Sequence, residues 1–349
     1  MNELPILGIT MGDVSGIGPE IVVKALNRKN VYETCRPLVV GNSEVVKRAV
    51  RLLGYEMKVH VISNVEEATF EHGIIDVYHV TEMNIDEVPY GQVSILGGKA
   101  AFEAIEKVIA LAMDNQIDAT ITGPLNKEAL NKAGYHYNGH TEIYAELTGT
   151  KSYSMMLAHE NFRVVHVSTH VSLRKACDLV KKQRVLEVIE IAQKACISLG
   201  IKNPRIAVAG LNPHSGEGGL FGEEEIDEII PAIEEARAKN LDVDGPVPPD
   251  TVFSKAIGGQ YDIVVAMYHD QGHIPMKVVG FQMDQTTGKW KAVNGVNITL
   301  GLPIIRSSVD HGTAFDQAGK GTASEESILN AISYGIDLAK ARLARKEIV

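Results

Sequence analysis

Short apolar runs alternate with amphipathic segments along most of this chain. The apolar runs predict buried strands at Ile6–Thr10, Pro37–Val40, Ala119–Thr122, Met155–Ala158, Arg163–Val167, Ile206–Ala209, Ile263–Met267 and Ile304–Ser307. The amphipathic segments, in which apolar residues recur every three or four positions, predict helices at Pro19–Leu26, Ser43–Leu53, Gly98–Asp114, Leu173–Leu199, Glu223–Lys239 and Ser324–Ala344. Strands and helices that alternate in this way are typical of an α/β protein with a mostly parallel sheet.

The chain is long enough to form two associated domains. Its 349 residues exceed the roughly 250–300 at which a single hydrophobic core stops growing. We predict a first α/β domain from residues 1–137 and 311–349, and a second domain from residues 138–310 that carries most candidate site residues. The polar stretch Gly280–Gly295, which contains the single tryptophan, predicts a long loop or hairpin.

Composition narrows the class of protein. The net charge of −10 argues against a general nucleic-acid surface, which needs clustered Lys and Arg, but a few local cations could still bind an anionic metabolite. We expect a cytoplasmic protein without a membrane span, because no stretch approaches about 20 apolar residues and the N-terminus lacks a signal-peptide pattern. Cys35, Cys177 and Cys196 are widely spaced, so they favour neither a disulfide framework nor a thiolate metal site.

Three histidines follow predicted strands and are candidate metal ligands. His170, His214 and His269 each come at the end of an apolar run, where side chains of an α/β sheet point into the ligand-binding crevice. Imidazole is a common ligand of divalent cations. Taken singly, each histidine is more often a hydrogen-bonded core or surface residue. Their separations in sequence exceed those of a local zinc finger, so the set favours a site assembled by the whole fold.

Two glycine-rich segments and one helix start are candidate anion sites. The segment 8–20 follows a strand, but Gly12, Gly16 and Gly18 do not have the dinucleotide-loop spacing; a tight turn and a direct site role for Asp13 both stay open. The segment 212–219 offers backbone N–H groups to an anion, and a plain Gly-rich turn is the alternative. His140 and Thr141 offer donors to a phosphate, although Thr141 could instead cap a helix.

Three charged side chains are further candidates for the functional site. Arg306 ends an apolar run, so it needs an anionic partner, which is either an internal Asp or Glu or a substrate phosphate or carboxylate. Asp250 and Asp270 are candidate catalytic-site carboxylates that could orient metal-bound histidines through hydrogen bonds.

Taken together, the motifs resemble the 4-hydroxythreonine-4-phosphate dehydrogenase family, which includes relatives acting on D-threonate or D-erythronate 4-phosphate. The resemblance extends over nearly the whole chain and is carried by the segments 11–20, 121–127, 139–142, 211–218, 268–272 and 308–313. It implies two α/β/α domains like those of isocitrate and isopropylmalate dehydrogenases, and a homodimer with shared active sites. It also implies NAD (or NADP) as cofactor, bound without a Rossmann loop.

The resemblance assigns roles to individual residues. One divalent metal ion per site (Zn, Mg, Mn, Co or Ni) would be held by His170, His214 and His269, one of them supplied by the partner subunit. The phosphorylated substrate would be bound by His140, Thr141, Lys277, Asn297 and Arg306. Asp250 and Asp270 would support the site, and no residue is assigned to the cofactor.

The implied reaction is the oxidation of a secondary hydroxyl β to a carboxylate, followed by loss of carbon dioxide. The pairs Gly272-His273 and Ile304-Ile305, and the long stretch from Lys277 to Asn297, resemble the sugar-acid branch of the family. D-threonate 4-phosphate, or D-erythronate 4-phosphate, is therefore the expected substrate, and dihydroxyacetone phosphate the expected product. The alternative is 4-hydroxythreonine 4-phosphate, the substrate in pyridoxal phosphate (vitamin B6) biosynthesis.

Two hypotheses from other classes accompany this one. A non-redox acyl- or phosphoryl-transferase would use the glycine-rich loops for phosphate and would leave the histidines incidental. An inactive metabolite-binding protein would be stabilised by its ligand without turning it over. Reduction of NAD by phosphorylated four-carbon acids separates the dehydrogenase from both.

Overall fold

The computed structural model of this chain describes residues 4–283, 286, 290–293 and 295–346. Its strands are β1 (Ile6–Thr10), β2 (Arg36–Gly41), β3 (Lys58–Ile62), β4 (Ile74–His79), β5 (Ala119–Thr122), β6 (Ser154–His159), β7 (Phe162–His166), β8 (Ile206–Ala209), β9 (Val243–Val247), β10 (Ile263–Ala266), β11 (Phe281–Met283), β12 (Trp290–Val293), β13 (Val296–Leu300) and β14 (Arg306–Val309). Its helices are α1 (Gly18–Leu26), α2 (Lys29–Thr34), α3 (Ser43–Leu53), α4 (Ile95–Met113), α5 (Lys127–Lys132), α6 (His140–Leu147), α7 (Leu173–Leu179), α8 (Lys182–Ser198), α9 (Ile230–Ala238), α10 (Val252–Ile257), α11 (His269–Gly280) and α12 (Glu326–Lys346).

Internal contacts group the chain into two compact units. The first unit contains residues up to Thr150 and from Leu302 onward, and the second contains Lys151–Gly301. The helix α6 and the strand β14, which the sequence prediction places in the second domain, lie in the first unit. The predicted domain borders stay a prediction, because the grouping of contacts within the chain does not show which part folds independently.

The first unit has an all-parallel sheet in the order β3-β4-β2-β1-β5-β14. Its inner strands are almost wholly buried; in β1, the side chains from Leu7 to Thr10 have no exposed surface. Helices cover them, with α4 contacting β1, β2 and β5, and α12 contacting β5 and β14. This burial on both faces explains why the strands appear in the sequence as continuous apolar runs.

The second unit has a mixed sheet in the order β13-β6-β7-β10-β8-β9. The strands β7, β10, β8 and β9 are parallel, whereas β13, β6 and β7 pair antiparallel. The parallel pairing sets Val165 beside Val265, so the segments that follow β7 and β10 leave the sheet at the same edge. That edge carries two of the candidate metal ligands.

The predicted α/β class is confirmed, and several element boundaries differ. The segment predicted as one helix, Leu173–Leu199, is two helices, because Val180 and Lys181 adopt extended backbone angles. The predicted helix Glu223–Lys239 opens with a π-helical turn at Glu225–Ile229 before α9. The hairpin expected at Gly280–Gly295 is present as the antiparallel pair β11–β12, and residues 284–285, 287–289 and 294 lie outside the described part. In the described part of the chain, no helix is long and apolar enough to cross a membrane.

Candidate functional site

Arg306 is the buried cation of the first unit. It begins β14, where only 3% of the residue is exposed, and its guanidinium donates a hydrogen bond of 3.1 Å to the Thr122 hydroxyl on the neighbouring strand β5. The guanidinium carbon lies over the Tyr144 ring at 5.4 Å from its centroid, a distance typical of a cation–π contact. Burial lowers the pKa of Arg306 to about 10, and Tyr144 partly opposes that shift. Arg306 is therefore still cationic at neutral pH.

His140 lies beside this cation at the first position of α6. Its Nε2 is sealed from solvent and has no hydrogen-bond partner among the residues described. Burial, assisted by the positive charge of Arg306, lowers the pKa of His140 well below its ordinary value. The imidazole is therefore neutral, and its Nε2 is a polar atom that a bound substrate could satisfy. Gly139 holds the N-cap position, so the alternative that Thr141 caps this helix is wrong.

Tyr144 joins His140 and Arg306, although the sequence analysis did not select it. It has no exposed surface, and its hydroxyl donates a 3.0 Å hydrogen bond to Thr120 on β5. Burial raises its pKa to about 12, so the hydroxyl keeps its proton. The signal in the sequence was its position one helical turn after His140, but an aromatic residue at such a spacing usually belongs to the core.

The second unit contains a row of four imidazoles that includes two predicted metal ligands. His170 follows β7, His269 begins α11, and their ring centroids are 5.7 Å apart. His273 stacks on His269 with a centroid distance of 3.6 Å, and His166 lies behind His273 at 4.8 Å. Thr169, His170, Ser172, Tyr268, His269 and Asp270 are among the residues that line a cavity of about 450 Å³ beside this row.

The two inner histidines of the row are neutral. Burial, assisted by the neighbouring imidazoles, lowers the pKa of His166 to about 3 and the pKa of His273 to about 4. The Nδ1 of His166 donates to the Met155 carbonyl at 3.2 Å, and the Nδ1 of His273 donates to the His269 carbonyl at 2.9 Å. Both carbonyls can only accept, so each ring carries its proton on Nδ1.

The distance between the His170 and His269 rings is compatible with a shared metal ion. Imidazole nitrogen binds zinc at about 2.0–2.1 Å, which puts each ring centroid roughly 3.2 Å from the ion and allows centroids up to about 6.4 Å apart. The observed 5.7 Å lies within that limit. Within the described ranges, however, no group of three or more His, Cys, Asp or Glu side chains is arranged to hold a metal. A metal ion bound by this pair would therefore have two protein ligands from these residues and would need a third from elsewhere.

His214, the third predicted ligand, has different neighbours. It lies in the 3₁₀ turn Pro213–Gly219, where its backbone adopts a positive φ of 51°, and its Nδ1 is 3.0 Å from Glu217 Oε1. Its side chain is 60% exposed. The structure therefore presents His214 outward on a strained turn, and does not group it with His170 and His269 of the same chain.

The backbone N–H groups at the start of this turn already hold an internal anion. The Glu225 carboxylate accepts hydrogen bonds from the backbone of Leu211 at 2.7 Å and of Asn212 at 2.8 Å, and from the Asn212 side chain at 2.9 Å. Glu225 is 1% exposed. At these two amides, the predicted anion site is occupied by the protein's own side chain.

The two carboxylates predicted to orient the histidines differ in their surroundings. Asp270 places Oδ1 2.6 Å from Nδ1 of His269, as an orienting hydrogen bond requires, although its side chain is 70% exposed. Asp250 is exposed in the turn before α10. The structure brings Asp270 to the histidine row, whereas the role of Asp250 stays a prediction.

The predicted substrate residues are divided between the units. His140, Thr141 and Arg306 belong to the first unit, and Lys277 and Asn297 to the second. Lys277 lies on α11, two turns after His269. Asn297 on β13 donates to Met155 Sδ at 2.9 Å, and its carbonyl oxygen is buried without a partner among the described residues. Each unit therefore has polar groups of its own, and the Asn297 oxygen among them can only accept a hydrogen bond.

The glycine-rich segment before α1 forms a tight turn. Gly12 has a φ of 71°, and a Cβ there would lie 2.0 Å from the Pro124 carbonyl oxygen, so only glycine fits. Asp13 is fully buried and accepts a 2.9 Å hydrogen bond from the Ser15 backbone, and burial raises its pKa to about 6. The geometry at Gly12 supports the interpretation of segment 8–20 as a tight turn, and Asp13 is buried inside the first unit.

The family model, one relative and two solved structures that resemble this chain all belong to one group of proteins. Residues 33–335 match the family described as pyridoxal phosphate biosynthetic protein PdxA. The chain is 49% identical over 342 residues to a protein of Cupriavidus necator named D-threonate 4-phosphate dehydrogenase, covering 98% of this chain and 99% of that protein. It is 46% identical to a solved 4-hydroxythreonine-4-phosphate dehydrogenase from Burkholderia phymatum, with a TM-score of 0.83 and coverage of 97% and 99%. A structure of that name from Klebsiella pneumoniae is 42% identical, with a TM-score of 0.84 and coverage of 96% and 99%.

Proposed function

Because this chain belongs to the PdxA family, we propose that it is a metal- and NAD-dependent dehydrogenase acting on D-threonate 4-phosphate. The reaction oxidises the C3 hydroxyl to a ketone, with the hydride going to NAD and a proton released. The resulting β-keto acid loses carbon dioxide and leaves dihydroxyacetone phosphate. The observation that carries this proposal is the similarity, over nearly the whole length of both chains, to the Cupriavidus necator protein named D-threonate 4-phosphate dehydrogenase.

The residues of the first unit supply phosphate recognition in this proposal. Arg306 is a buried cation whose planar guanidinium can donate two parallel hydrogen bonds to a phosphate or carboxylate. Neutral His140 adds a polar nitrogen beside it without adding a second positive charge. Orientation of the substrate by such contacts lowers the entropic part of the barrier.

The residues of the second unit supply the metal site. His170 and His269 are the pair that fits one ion, and Asp270 orients His269. A bound divalent ion (Zn, Mg, Mn, Co or Ni) would supply positive charge beside the reacting hydroxyl, and NAD, or NADP, would supply the hydride acceptor. Asn297 offers its amide oxygen as an acceptor for a substrate hydroxyl.

We further propose a homodimer in which His214 of the partner subunit completes each metal site. Two observations support this arrangement: His170 and His269 are paired within one chain, and His214 is presented on an exposed turn. Large apolar side chains next to these elements are also exposed, namely Leu220 and Phe221 after the turn, and Ile274 and Val278 on α11. Exposed apolar residues of this kind are typical of a surface that another subunit covers.

A second candidate substrate is 4-hydroxythreonine 4-phosphate. It is favoured by the family description and by the names of the solved relatives. The two substrates differ at C2, which carries a hydroxyl in one and an amine in the other. The same catalytic residues would serve both.

A substrate panel tests the proposed function. The purified protein is assayed with NAD and each divalent metal on D-threonate, D-erythronate and 4-hydroxythreonine 4-phosphates, and NADH absorbance and dihydroxyacetone phosphate are measured. We expect the highest kcat/KM with D-threonate 4-phosphate, and little activity with unphosphorylated D-threonate, the matched control. A higher kcat/KM for the amino compound would replace the first substrate with the second. No cofactor reduction with any acid would remove the dehydrogenase proposal.

A further inference from the structure

His273 lies against the inner face of the His269 ring. His269 is the first residue of α11, and His273 is one turn later, so their side chains lie on one face of the helix. The two rings are stacked, with centroids 3.6 Å apart and planes 10° apart. A contact over the whole ring face restricts rotation of the His269 imidazole about the bond that joins it to Cβ.

His273 is itself held on two further sides. Its Nδ1 donates to the His269 carbonyl at 2.9 Å, which ties the ring to its own helix. Behind it, the His166 ring lies 4.8 Å away, is 1% exposed, and is anchored by its hydrogen bond to the Met155 carbonyl. His273 therefore cannot move away from His269 without displacing a buried side chain.

Gly272 shows how closely this row is packed. A Cβ at this position would lie 2.3 Å from Nε2 of His166 and 2.7 Å from a methyl group of Val164. Only glycine lets α11 approach β7 closely enough for the imidazoles of His166 and His273 to meet.

Another restraint on His269 is weaker. Asp270 hydrogen bonds to Nδ1 of His269 at 2.6 Å, but its side chain is 70% exposed. An exposed carboxylate exchanges its hydrogen bond with water and loses side-chain entropy when it holds one geometry. The stack on His273, which the buried His166 backs from behind, is the more rigid support.

We propose that His273 is a positioning residue, whose ring face holds the His269 imidazole in the orientation from which it binds the metal ion. The inference rests on the proposed function in one respect, namely that His269 is a metal ligand. Residues that orient metal ligands typically contribute a factor of roughly 10 to 100 in metal affinity. His273 acts through ring shape, so a different flat ring should replace it.

Cobalt binding tests this role without any catalytic turnover. The full-length protein and its variants are titrated with Co²⁺, and the dissociation constant and the visible absorption of bound Co²⁺ are measured. His273→Leu and His273→Asn both remove the flat ring, so if one variant fails to fold the other still gives an answer. We expect each to weaken Co²⁺ binding about tenfold and to change the absorption spectrum. We expect His273→Phe, which keeps a flat ring, to stay within about threefold of wild type.

Control variants separate this inference from the proposed function. His136→Ala removes an exposed histidine of the first unit and should leave Co²⁺ binding unchanged. If His269→Ala binds Co²⁺ like wild type, the proposed metal site is wrong. If His269→Ala loses Co²⁺ but His273→Leu and His273→Asn bind it as wild type does, the metal site stands and the positioning role is overturned. Equal loss in His273→Phe and His273→Leu would also overturn it, because ring shape would then not be what matters.

Discussion

The ring of Tyr144 lies against the guanidinium of Arg306, with the guanidinium carbon 5.4 Å from the ring centroid. Both side chains are buried, and both reach strand β5, where Tyr144 hydrogen bonds to Thr120 and Arg306 to Thr122. The strand therefore fixes the ring and the cation in register, since Thr120 and Thr122 point to the same face. A phosphate that binds Arg306 would meet a side chain that is already ordered.

Removal of the Tyr144 ring should weaken substrate binding more than it slows the chemistry. A desolvated cation–π contact contributes roughly 1–2 kcal/mol, so we expect Tyr144→Leu to raise KM about five- to thirtyfold with a smaller change in kcat. Tyr144→Phe keeps the ring and loses only the hydroxyl, so its KM should stay near the wild-type value. Steady-state kinetics of both variants, with circular dichroism to verify folding, measure this. Equal KM values in all three proteins would contradict the contact's role.

Substitution of Arg306 should separate substrate recognition from structural ion pairing. Arg306→Lys keeps the charge but loses the planar fork, so KM for the phosphorylated acid should rise about tenfold or more. Arg48→Lys is the matched control, because Arg48 also lies over a tyrosine, Tyr90, at 4.2 Å in the same unit. Arg48 donates to backbone carbonyls, so this control should lower the thermal unfolding temperature without a change in KM. An unchanged KM for Arg306→Lys would favour an internal carboxylate as the partner of Arg306.

The buried carboxyl of Asp13 should make folding less favourable as pH rises. Burial raises its pKa from 3.8 to about 6, so the folded protein favours the protonated form. No penalty applies below the unfolded value, and the penalty grows as pH rises between 3.8 and about 6. Above that range it is complete and amounts to roughly 3 kcal/mol.

Asp13→Asn should remove this penalty. We expect its free energy of unfolding to match wild type in acid and to exceed it by up to about 3 kcal/mol at neutral pH. Denaturant titrations across the pH range measure the difference, with Asp114→Asn, a substitution at an exposed aspartate, as the matched control. A variant that is equally destabilised at every pH would show that the carboxyl serves a structural role unrelated to its ionisation.

Mixed dimers should reveal which histidine crosses the subunit interface. If His214 of the partner subunit completes a site made by His170 and His269, a mixture of His214→Ala and His269→Ala proteins forms dimers with one intact site. A mixture of His170→Ala and His269→Ala has none, because both substitutions affect the same half of each site. We expect dehydrogenase activity and Co²⁺ binding to return only in the first mixture. Recovery in the second mixture would show that the pair belongs to different subunits.

Much of the fold was predictable because buried parallel strands leave a simple pattern. The runs at Ile6–Thr10 and Ala119–Thr122 are strands with those same bounds, since both sheet faces are covered. The break between α7 and α8 was not predictable, because no Gly or Pro marks it. Glu228 stabilises the start of α8, because it accepts hydrogen bonds from the Lys181 side chain at 2.7 Å and from the Lys182 backbone at 2.7 Å. Such a tertiary contact leaves no local signal.

The candidate site likewise has residues that the sequence pattern predicts and residues that it cannot predict. Strand-end position was enough to select His170 and His269, which the structure brings together. It could not select His166, because a histidine within a buried strand resembles any other buried polar residue. His273 was noticed only as a mark of one family branch, and its stack on His269 depends on the path of α11.

The Glu225 carboxylate accepts hydrogen bonds from the backbone N–H groups of Leu211 and Asn212, just before the turn that carries His214. These bonds order the turn in the absence of any ligand. The turn loses its backbone entropy when the chain folds. Binding of a ligand to His214 would therefore not be weakened by the entropy cost of ordering the turn. A metal ion or subunit that bound His214 would meet a turn that is already ordered, so its binding would not require this segment to fold.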